Sequence, residues 1–381
     1  MSGAGPERYD AVVIGVGGMG SATVAHLAAR GLSVLGLERY DVPHEMGSSH
    51  GESRIIRRAQ GERPAYVPLV ERAYELWTEL DEGHDRGLFH RTGSVHAGPP
   101  GSEAFEGSRA ACEEYDIEHE VLDAAALRDR FPGYEPPAEF RAVYQPDGGF
   151  LVPEECIVAH VERAHADGAT VRARERVLGL DPRPDGVRVR TDKGEYVGDD
   201  VVVTAGAWAA TFLPGLADAL EPQRRVMAWL QPRRPDRFTP EAFPVFTLDT
   251  EESHYYGFPV HGVPGFKFGR SPKLPQVVDP DEMSREPTVQ EEELLRSFAE
   301  EYFPAGAGPT MRLRPCIVTE SRDGDFVLDT HPEHDDVHVA AGFSGNGFKF
   351  CSVVGEIMAD LVVEGESGFA LDAFSVDRFD A

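Results

Sequence analysis

Lysine is nearly absent from this sequence. Only four of its 37 basic residues are lysines, at positions 193, 267, 273 and 349, while 66 residues are acidic and the net charge is −29. Phosphate backbones and anionic lipid headgroups repel such a chain, so we expect neither nucleic acid nor an anionic membrane as a partner. Dense carboxylates with scarce lysine are typical of a surface adapted to high salt, where counterions screen self-repulsion. The alternative is a merely acidic protein with a high-GC codon bias.

Cysteine and long apolar runs are also scarce. The four cysteines, Cys112, Cys156, Cys316 and Cys351, are too widely spaced for a disulfide framework or a zinc site, and we expect no metal. No apolar run approaches the roughly 18 residues of a membrane span. The N-terminus has no cationic stretch followed by an apolar one, as a secretion signal would. We therefore expect a soluble, cytoplasmic protein.

The clearest positive signal lies in residues 9–38. An apolar β-run, Asp10 to Ile14, leads into the turn Gly15-Val16-Gly17-Gly18-Met19-Gly20. A helical pattern follows, and then a second strand that ends on Glu38. Strand, glycine turn, helix, strand and acidic residue in this order predict a dinucleotide-binding βαβ unit. The alternative is an ordinary glycine turn in an α/β protein.

Each conspicuous residue of this unit has a physical task. Gly15 permits the tight turn, Gly17 lets the backbone approach a pyrophosphate, and Gly20 lets the helix pack close to the strand. The helix N-terminus offers free N–H groups and its positive dipole end to the phosphates. Glu38 is placed to accept hydrogen bonds from ribose hydroxyls and to repel a 2′-phosphate.

Two kinds of sequence alternate along the chain. Helix-and-strand patterns in residues 1–90, 145–220 and 315–381 predict a discontinuous dinucleotide-binding domain of the Rossmann-like α/β class. The β-rich stretches 91–144 and 221–314 predict a substrate domain built on a mixed sheet. The segments are interleaved, so the chain should cross between the two domains several times.

Two further glycine turns follow predicted strands. The strand Asp200 to Thr204 runs into a turn that contains Gly206, and the strand Val337 to Ala341 precedes the glycine-rich stretch 342–347. The first turn resembles a second place where the backbone approaches a nucleotide, although an ordinary turn explains it equally well.

Four segments together resemble the monomeric sarcosine oxidase family. They are the fingerprint, the stretch Ser48-Ser49-His50-Gly51-Glu52-Ser53-Arg54-Ile55-Ile56-Arg57, the stretch Tyr255-Tyr256-Gly257-Phe258-Pro259 with Lys267 after it, and the tail from Arg314 to Phe350. The resemblance implies an FAD-dependent amine oxidase whose partners are a small-molecule secondary amino acid and dioxygen. Such enzymes convert N-methyl or cyclic secondary amino acids to imines and produce hydrogen peroxide. The resemblance also implies that the protein is a monomer.

The resemblance assigns residues to the cofactor. Cys316 matches the position that attaches FAD covalently through its 8α-methyl carbon; the alternative is a small buried thiol. His50 and Arg54 match residues that face the flavin, and Lys267 matches the cation that promotes its reaction with oxygen; surface charges are the alternative. The cofactor-binding residues implied are Gly15, Gly17, Gly20, Glu38, Arg39, Ser48, Ser49, Val177, Gly206, Cys316, Gly342, Gly345, Gly347 and Lys349.

The resemblance also assigns residues to the substrate. Arg57 and Lys349 match two cations that hold the substrate carboxylate, and a planar guanidinium suits that task because it donates two parallel hydrogen bonds. Tyr256 matches a pocket tyrosine next to the substrate. Tyr256 and Thr319 are equally explained as packing residues of strands.

Two positions depart from the family pattern. Ser271 stands where relatives often have a pocket histidine, and Val318 stands where a tyrosine is common. The same chemistry with an altered amine pocket is therefore expected. Two other functions stay open: a flavin dehydrogenase that uses another electron acceptor, which Lys267 disfavours, and a non-catalytic FAD-binding module, which Arg57 and Lys349 disfavour.

Overall fold

The computed structural model describes residues 6–60, 65–272 and 276–379. Lys273 and the outer ends of the predicted dinucleotide-binding segments, at residues 1 and 381, lie outside the described residues. Within the described residues the α-helices are α1 Gly18–Ala29, α2 Tyr66–Glu82, α3 Glu103–Glu114, α4 Ala124–Arg130, α5 Pro153–Ala166, α6 Ala209–Phe212, α7 Val289–Tyr302 and α8 Cys351–Glu364. The strands are β1 Glu7–Ile14, β2 Val34–Leu37, β3 Arg54–Ile56, β4 Phe89–Arg91, β5 Ser94–Gly98, β6 Glu120–Asp123, β7 Arg141–Gln145, β8 Gly149–Leu151, β9 Thr170–Arg172, β10 Val177–Arg183, β11 Gly186–Thr191, β12 Glu195–Val203, β13 Leu220–Leu230, β14 Val245–Asp249, β15 Ser253–Phe258, β16 Phe266–Pro272, β17 Gln276–Val277, β18 Thr310–Ser321, β19 Val327–His331 and β20 His334–Ala341.

An eight-stranded sheet has a parallel centre in the order β20-β12-β1-β2-β9. Alternate residues of β1 face opposite layers. Ala11 and Val13 belong to a core shared with α1, α2, α5 and α8. Val12 and Ile14 belong to a second core with β10, β11 and the segment around α6. Burial on both faces explains the continuous apolar run in β1, as expected of a parallel strand.

The helix α1 packs very closely on the end of β1. A Cβ atom on Gly20 would lie 1.7 Å from the carbonyl oxygen of Gly15, which leaves room for glycine only. Gly15 itself has a φ of 93°, a conformation that costs glycine little. The first turn of α1 is therefore held against the carboxyl end of the sheet.

A nine-stranded mixed sheet follows the order β17-β13-β16-β15-β14-β5-β7-β6, with β18 on the other edge of β13. The pairing of β14 with β5 is parallel, while the other pairs are antiparallel. Its covered face packs on α7 through an aromatic core that includes Phe246, Phe266, Phe298 and Phe303. A small antiparallel sheet, β3-β8-β4, completes the strands of the described residues.

These sheets confirm the predicted α/β class with a second, mixed sheet. The eight-stranded sheet takes its strands from residues 7–37, 170–203 and 327–341. The nine-stranded sheet includes β18, which continues to Ser321 and so crosses residue 315. The division into two domains at the predicted boundaries stays a prediction. Among the described residues, no helix combines the length and apolar character needed to cross a membrane.

Candidate active site

A cavity of about 420 Å³ lies between the two large sheets. Its first wall is formed where parallel strands end: Gly15 after β1, Glu38 after β2, Thr204 after β12 and Gly342 after β20 all line it. Ligands of open α/β sheets bind at this edge, because the loops there converge with free backbone groups. The opposite wall includes residues of β14, β15, β16 and β18.

Glu38 is buried at the base of the first wall. Its carboxylate accepts hydrogen bonds from the backbone N–H groups of Val16 and Tyr40, both at 2.9 Å, and lies 3.4 Å from Nε2 of His44. Burial raises the pKa of Glu38, but these partners outweigh it and hold the pKa below its usual range. The residue therefore presents an ionised acceptor to the cavity.

Glycines keep the approach to this wall open. A Cβ atom on Gly17 or on Gly206 would meet no other atom within 4 Å. The N–H of Gly18, at the start of α1, has the Ser49 hydroxyl as an acceptor at 3.3 Å. An elongated ligand with phosphates fits here, because bare backbone and a helix N-terminus face the space where its pyrophosphate would lie.

The sulfur of Cys316 lies at the cavity wall on β18. The Arg54 guanidinium is 3.9 Å from it, and the carbonyl oxygens of Ser48 and Ile317 lie at 3.9 and 3.7 Å. Arg54 also donates to the Ser48 and Ser53 carbonyl oxygens, at 2.7 and 2.9 Å. The loop before β3 thus places a fixed cation beside the cysteine.

Arg57 and Lys349 bring two cations to the same cavity from distant parts of the chain. Arg57 follows β3 and is only 8% exposed, and its NH1 atom lies 3.1 Å from Nδ1 of His96. Lys349 is 3% exposed in the short helical turn before α8, and its Nζ donates to the backbone and side-chain oxygens of Asn346. Two buried cations at one cavity, in a chain of net charge −29, favour a small anion as ligand.

Lys267 lies behind the cavity wall. The residue is 2% exposed, and its Nζ donates to the carbonyl oxygens of Gly51 and Ser53, at 2.6 and 2.7 Å, and to the Ser53 hydroxyl at 2.9 Å. Burial lowers the pKa of Lys267 well below its usual range, and the neighbouring Arg54 adds to this effect. The interpretation as a solvated surface charge is therefore wrong for Lys267.

The turn that Lys267 grips has an unusual backbone. Gly51 and Glu52 have φ angles of 94° and 70°. Both of their N–H groups donate to the Glu154 carboxylate at the start of α5, with a shortest distance of 2.6 Å. Lys267 and Glu154 thus hold a strained turn that lies between His50 and Arg54.

His50 and Tyr256 are placed differently with respect to the cavity. His50 is 1% exposed, and burial together with Arg54 and Lys267 lowers its pKa well below 6.5, so the ring is neutral. Its Nε2 atom has no hydrogen-bond partner among the described residues. Tyr256 lines the cavity, and burial raises its pKa to about 12, which keeps the phenol protonated.

The structure brings most of the predicted residues to one place. Ser271, Val318 and Thr319 line the cavity too. Gly20, His50 and Lys267 are predicted residues that lie behind its walls. The predicted residues that line it are Gly15, Gly17, Glu38, Arg39, Ser48, Ser49, Arg54, Arg57, Val177, Gly206, Tyr256, Cys316, Gly342, Gly345, Gly347 and Lys349.

Sequence reasoning missed Arg225. It lies on β13 opposite Cys316, lines the cavity and is 8% exposed. One guanidinium nitrogen pairs with Glu320 at 2.9 Å and Gln223 at 2.8 Å, while Nε and NH1 have no partner within the described part of the chain. The available signal was two consecutive arginines directly before the apolar run 226–230 of β13, because a buried guanidinium needs acceptors.

Comparison with known proteins identifies the family. The profile of the FAD dependent oxidoreductase family, DAO, matches residues 10–361. Monomeric sarcosine oxidase from Bacillus sp. (strain B-0618) is 38% identical over 97% of this chain and 96% of its own length. N-methyl-L-tryptophan oxidase from Citrobacter koseri is 34% identical over 98% of this chain and 99% of its own length.

Solved structures agree with this result. The Tyr258Phe mutant of NikD, described as an unusual amino acid oxidase essential for nikkomycin biosynthesis, superposes with a TM-score of 0.85 at 27% identity and covers 97% of both chains. Glycine oxidase from Geobacillus kaustophilus shares the fold, with a TM-score of 0.84 at 21% identity. The cradle at the carboxyl ends of β1, β2, β12 and β20 fits the dinucleotide that this family uses. The chain belongs to the DAO family and is an FAD-dependent oxidoreductase that acts on amine donors.

Proposed function

We propose that this protein oxidises N-methyl or cyclic secondary amino acids with dioxygen, giving an imine that hydrolyses and hydrogen peroxide. The observation that carries the proposal is the pair of buried cations, Arg57 and Lys349, at a cavity whose other end fits FAD. Relatives that are 34–38% identical over nearly the whole chain are oxidases of sarcosine and N-methyl-L-tryptophan, which are both N-methyl amino acids. The altered pocket positions Ser271 and Val318 support a substrate other than sarcosine.

The chain's own residues hold the two reactants. Glu38 would accept hydrogen bonds from the ribose of FAD, and the N-terminus of α1 would hold its pyrophosphate. Arg57 and Lys349 would grip the substrate carboxylate and so orient the amine nitrogen and its neighbouring carbon for the reaction. FAD held in this cavity would supply the redox chemistry, so the chain's own residues would mainly bind and orient the amine and would need little acid–base chemistry of their own.

We further propose that Cys316 attaches the flavin covalently. Its sulfur lies at the cavity wall with the Arg54 cation at 3.9 Å, and a positive neighbour is the usual environment of a reactive cysteine. Cys112, Cys156 and Cys351 are buried and do not line the cavity, and they keep the role of small apolar residues.

We also propose that the protein is a monomer and that it is located in the cytoplasm. Its four cysteines are all unpaired, which suits a reducing compartment. Several relatives carry the word monomeric in their names. Light scattering of the purified holoenzyme tests the monomer, and cell fractionation with a periplasmic marker tests the location.

The test of the reaction is a substrate screen in concentrated KCl. The holoenzyme is mixed without oxygen with N-methyl and cyclic amino acids, and loss of flavin absorbance is followed. Oxygen is then admitted while flavin recovery and peroxide are measured. Bleaching followed by rapid recovery with peroxide supports the oxidase. Bleaching without recovery in oxygen would favour a dehydrogenase, and no bleaching with any amine would favour a non-catalytic FAD protein.

A further inference from the structure

A buried histidine supports Arg57 from behind. His96, on β5, is completely buried, and both of its ring nitrogens have polar neighbours. Its Nδ1 atom lies 3.1 Å from NH1 of Arg57 and 2.7 Å from the Thr247 hydroxyl, and its Nε2 lies 3.0 Å from the Ser94 hydroxyl. Of the residues bonded to His96, Arg57 and Thr247 line the cavity.

The chemistry of these neighbours fixes the state of the ring. Burial lowers the pKa of His96 well below 6.5, and the positive charges of Arg57 and Lys349 and the nearby His254 lower it further. A guanidinium can only donate, so Nδ1 must be the acceptor and the ring proton must lie on Nε2, directed at Ser94. The neutral ring accepts from Arg57 without bringing a negative charge to a place where a carboxylate would bind.

The strands hold this ring rigidly. β5 pairs with β14 in parallel register, and His96 stands directly opposite Thr247. Ser94 is two residues before His96 and so points to the same face of the sheet. A pair of strands therefore fixes the imidazole, and the imidazole fixes one end of the Arg57 guanidinium.

We propose that His96 is a positioning residue that aims Arg57 at the substrate carboxylate. This inference rests on the proposed function, since it assumes that Arg57 binds that carboxylate. It extends the recognition site to β5, which no sequence motif of the chain had suggested. It also identifies Nδ1, and not the bulk of the ring, as the part that matters.

Three holoenzyme variants test the inference. His96→Leu removes the acceptor, His96→Gln keeps an amide oxygen that can accept from Arg57, and His338→Leu removes another buried histidine, bonded to Asp200 and Thr330 on a strand of the other sheet. Binding of propionate is followed by the change in flavin absorbance. Steady-state kcat and KM are measured with a secondary amino acid and with the same amine lacking its carboxylate.

We expect His96→Leu to weaken propionate binding and raise KM for the amino acid by about ten-fold or more, with kcat nearly unchanged. His96→Gln should recover most of this loss, and His338→Leu should show none of it. The KM and kcat for the carboxylate-free amine should change little in any variant. Equal losses in His96→Leu and His96→Gln, or equal losses for both amines, would overturn the inference in favour of a packing role.

The same measurements separate this inference from the proposed function. If no secondary amino acid bleaches the wild-type flavin while propionate binding still follows the expected order of variants, the proposed reaction fails and the role of His96 stands. If amino acids are oxidised and propionate binding is the same in all variants, the proposed reaction stands and the role of His96 fails.

Discussion

The sulfur of Cys316 has a cation and two carbonyl oxygens as neighbours. If the proposed thioether forms there, acid-precipitated protein stays yellow and its intact mass exceeds the chain by one FAD. Cys316→Ala should still bind FAD, because the cradle at the ends of β1 and β2 is untouched, but should release it on denaturation. Cys112→Ala is the matched control. Release of all flavin from the wild type into the acid supernatant would disprove the attachment.

Arg57 and Lys349 provide a second prediction at the scale of single residues. Replacing either by alanine should weaken the binding of the amino acid by about 2–5 kcal/mol, the usual effect of losing a buried charged partner. The same substitutions should weaken the binding of an amine without the carboxylate much less. Anaerobic titration of the flavin absorbance measures both, and Lys193→Ala, at an exposed lysine, is the control. Equal losses for both amines would contradict a role in gripping the carboxylate.

Lys267 gives the third prediction, because it combines a buried charge with three hydrogen bonds to the turn Gly51–Ser53. Lys267→Met should slow reoxidation of the reduced flavin by orders of magnitude, since a fixed cation stabilises negative charge that develops on oxygen. Reduction by the amine should change modestly. Stopped-flow absorbance separates the two half-reactions.

The control for Lys267 must separate its charge from its hold on the turn. Ser53→Ala removes one hydrogen bond and keeps the ammonium, so reoxidation should stay near the wild-type rate. If Ser53→Ala and Lys267→Met slow reoxidation equally, the rate depends on the conformation of the turn and not on the charge of Lys267. If neither variant slows reoxidation, the result favours a flavin dehydrogenase that uses another electron acceptor.

At the scale of elements, the helix α5 carries a histidine against α2. His160 is 5% exposed, and its ring lies 5.3 Å from that of Trp77. Burial lowers the pKa of His160 from 6.5 to about 3, so between these values the unfolded chain binds a proton that the folded protein refuses. The free energy of unfolding should therefore fall as the pH falls below 6.5, by at most about 1.4 kcal/mol per pH unit from this residue.

Urea unfolding of wild type and His160→Phe at several pH values tests this sign. Acidic side chains titrate in the same range in both proteins, so the difference between the two isolates the histidine. The stability of the wild type relative to His160→Phe should fall from pH 6.5 toward pH 4 and stay constant above pH 7. A difference that does not change with pH would show that the ring is not the titrating group.

At the scale of the whole molecule, the net charge of −29 opposes compactness. Salt shortens the screening length from about 10 Å at 0.1 M to about 3 Å at 1 M, so the Tm should rise steeply over that range of KCl. The double variant Glu118→Lys/Glu293→Lys, at two exposed positions, should be more stable than the wild type in low salt and less dependent on KCl. Thermal melts by circular dichroism measure both. A flat wild-type Tm would favour the codon-bias explanation of the composition.

The sequence by itself determined the parts of this protein that are local in the chain. Gly15, Gly17, Gly20 and Glu38 lie within one βαβ unit, and their spacing alone predicts a cradle for a dinucleotide, because neighbouring residues fix its turn, helix start and strand end. The resemblance of four segments was sufficient to indicate the family, which the comparisons confirmed. The α/β class followed from the same patterns.

Only the tertiary structure decided what surrounds each functional side chain. Lys267 reaches the turn at Gly51 across 216 residues, Arg225 pairs with Glu320 across 95, and His96 meets Thr247 across 151. These contacts depend on which strands pair and in which register, and a shift of one residue would turn each side chain to the other face of its sheet. Periodicity indicates that a strand exists, but its partner is chosen by the packing of the whole core. For that reason the cofactor cradle could be predicted from the sequence, whereas the support of Arg57 by His96 required the fold.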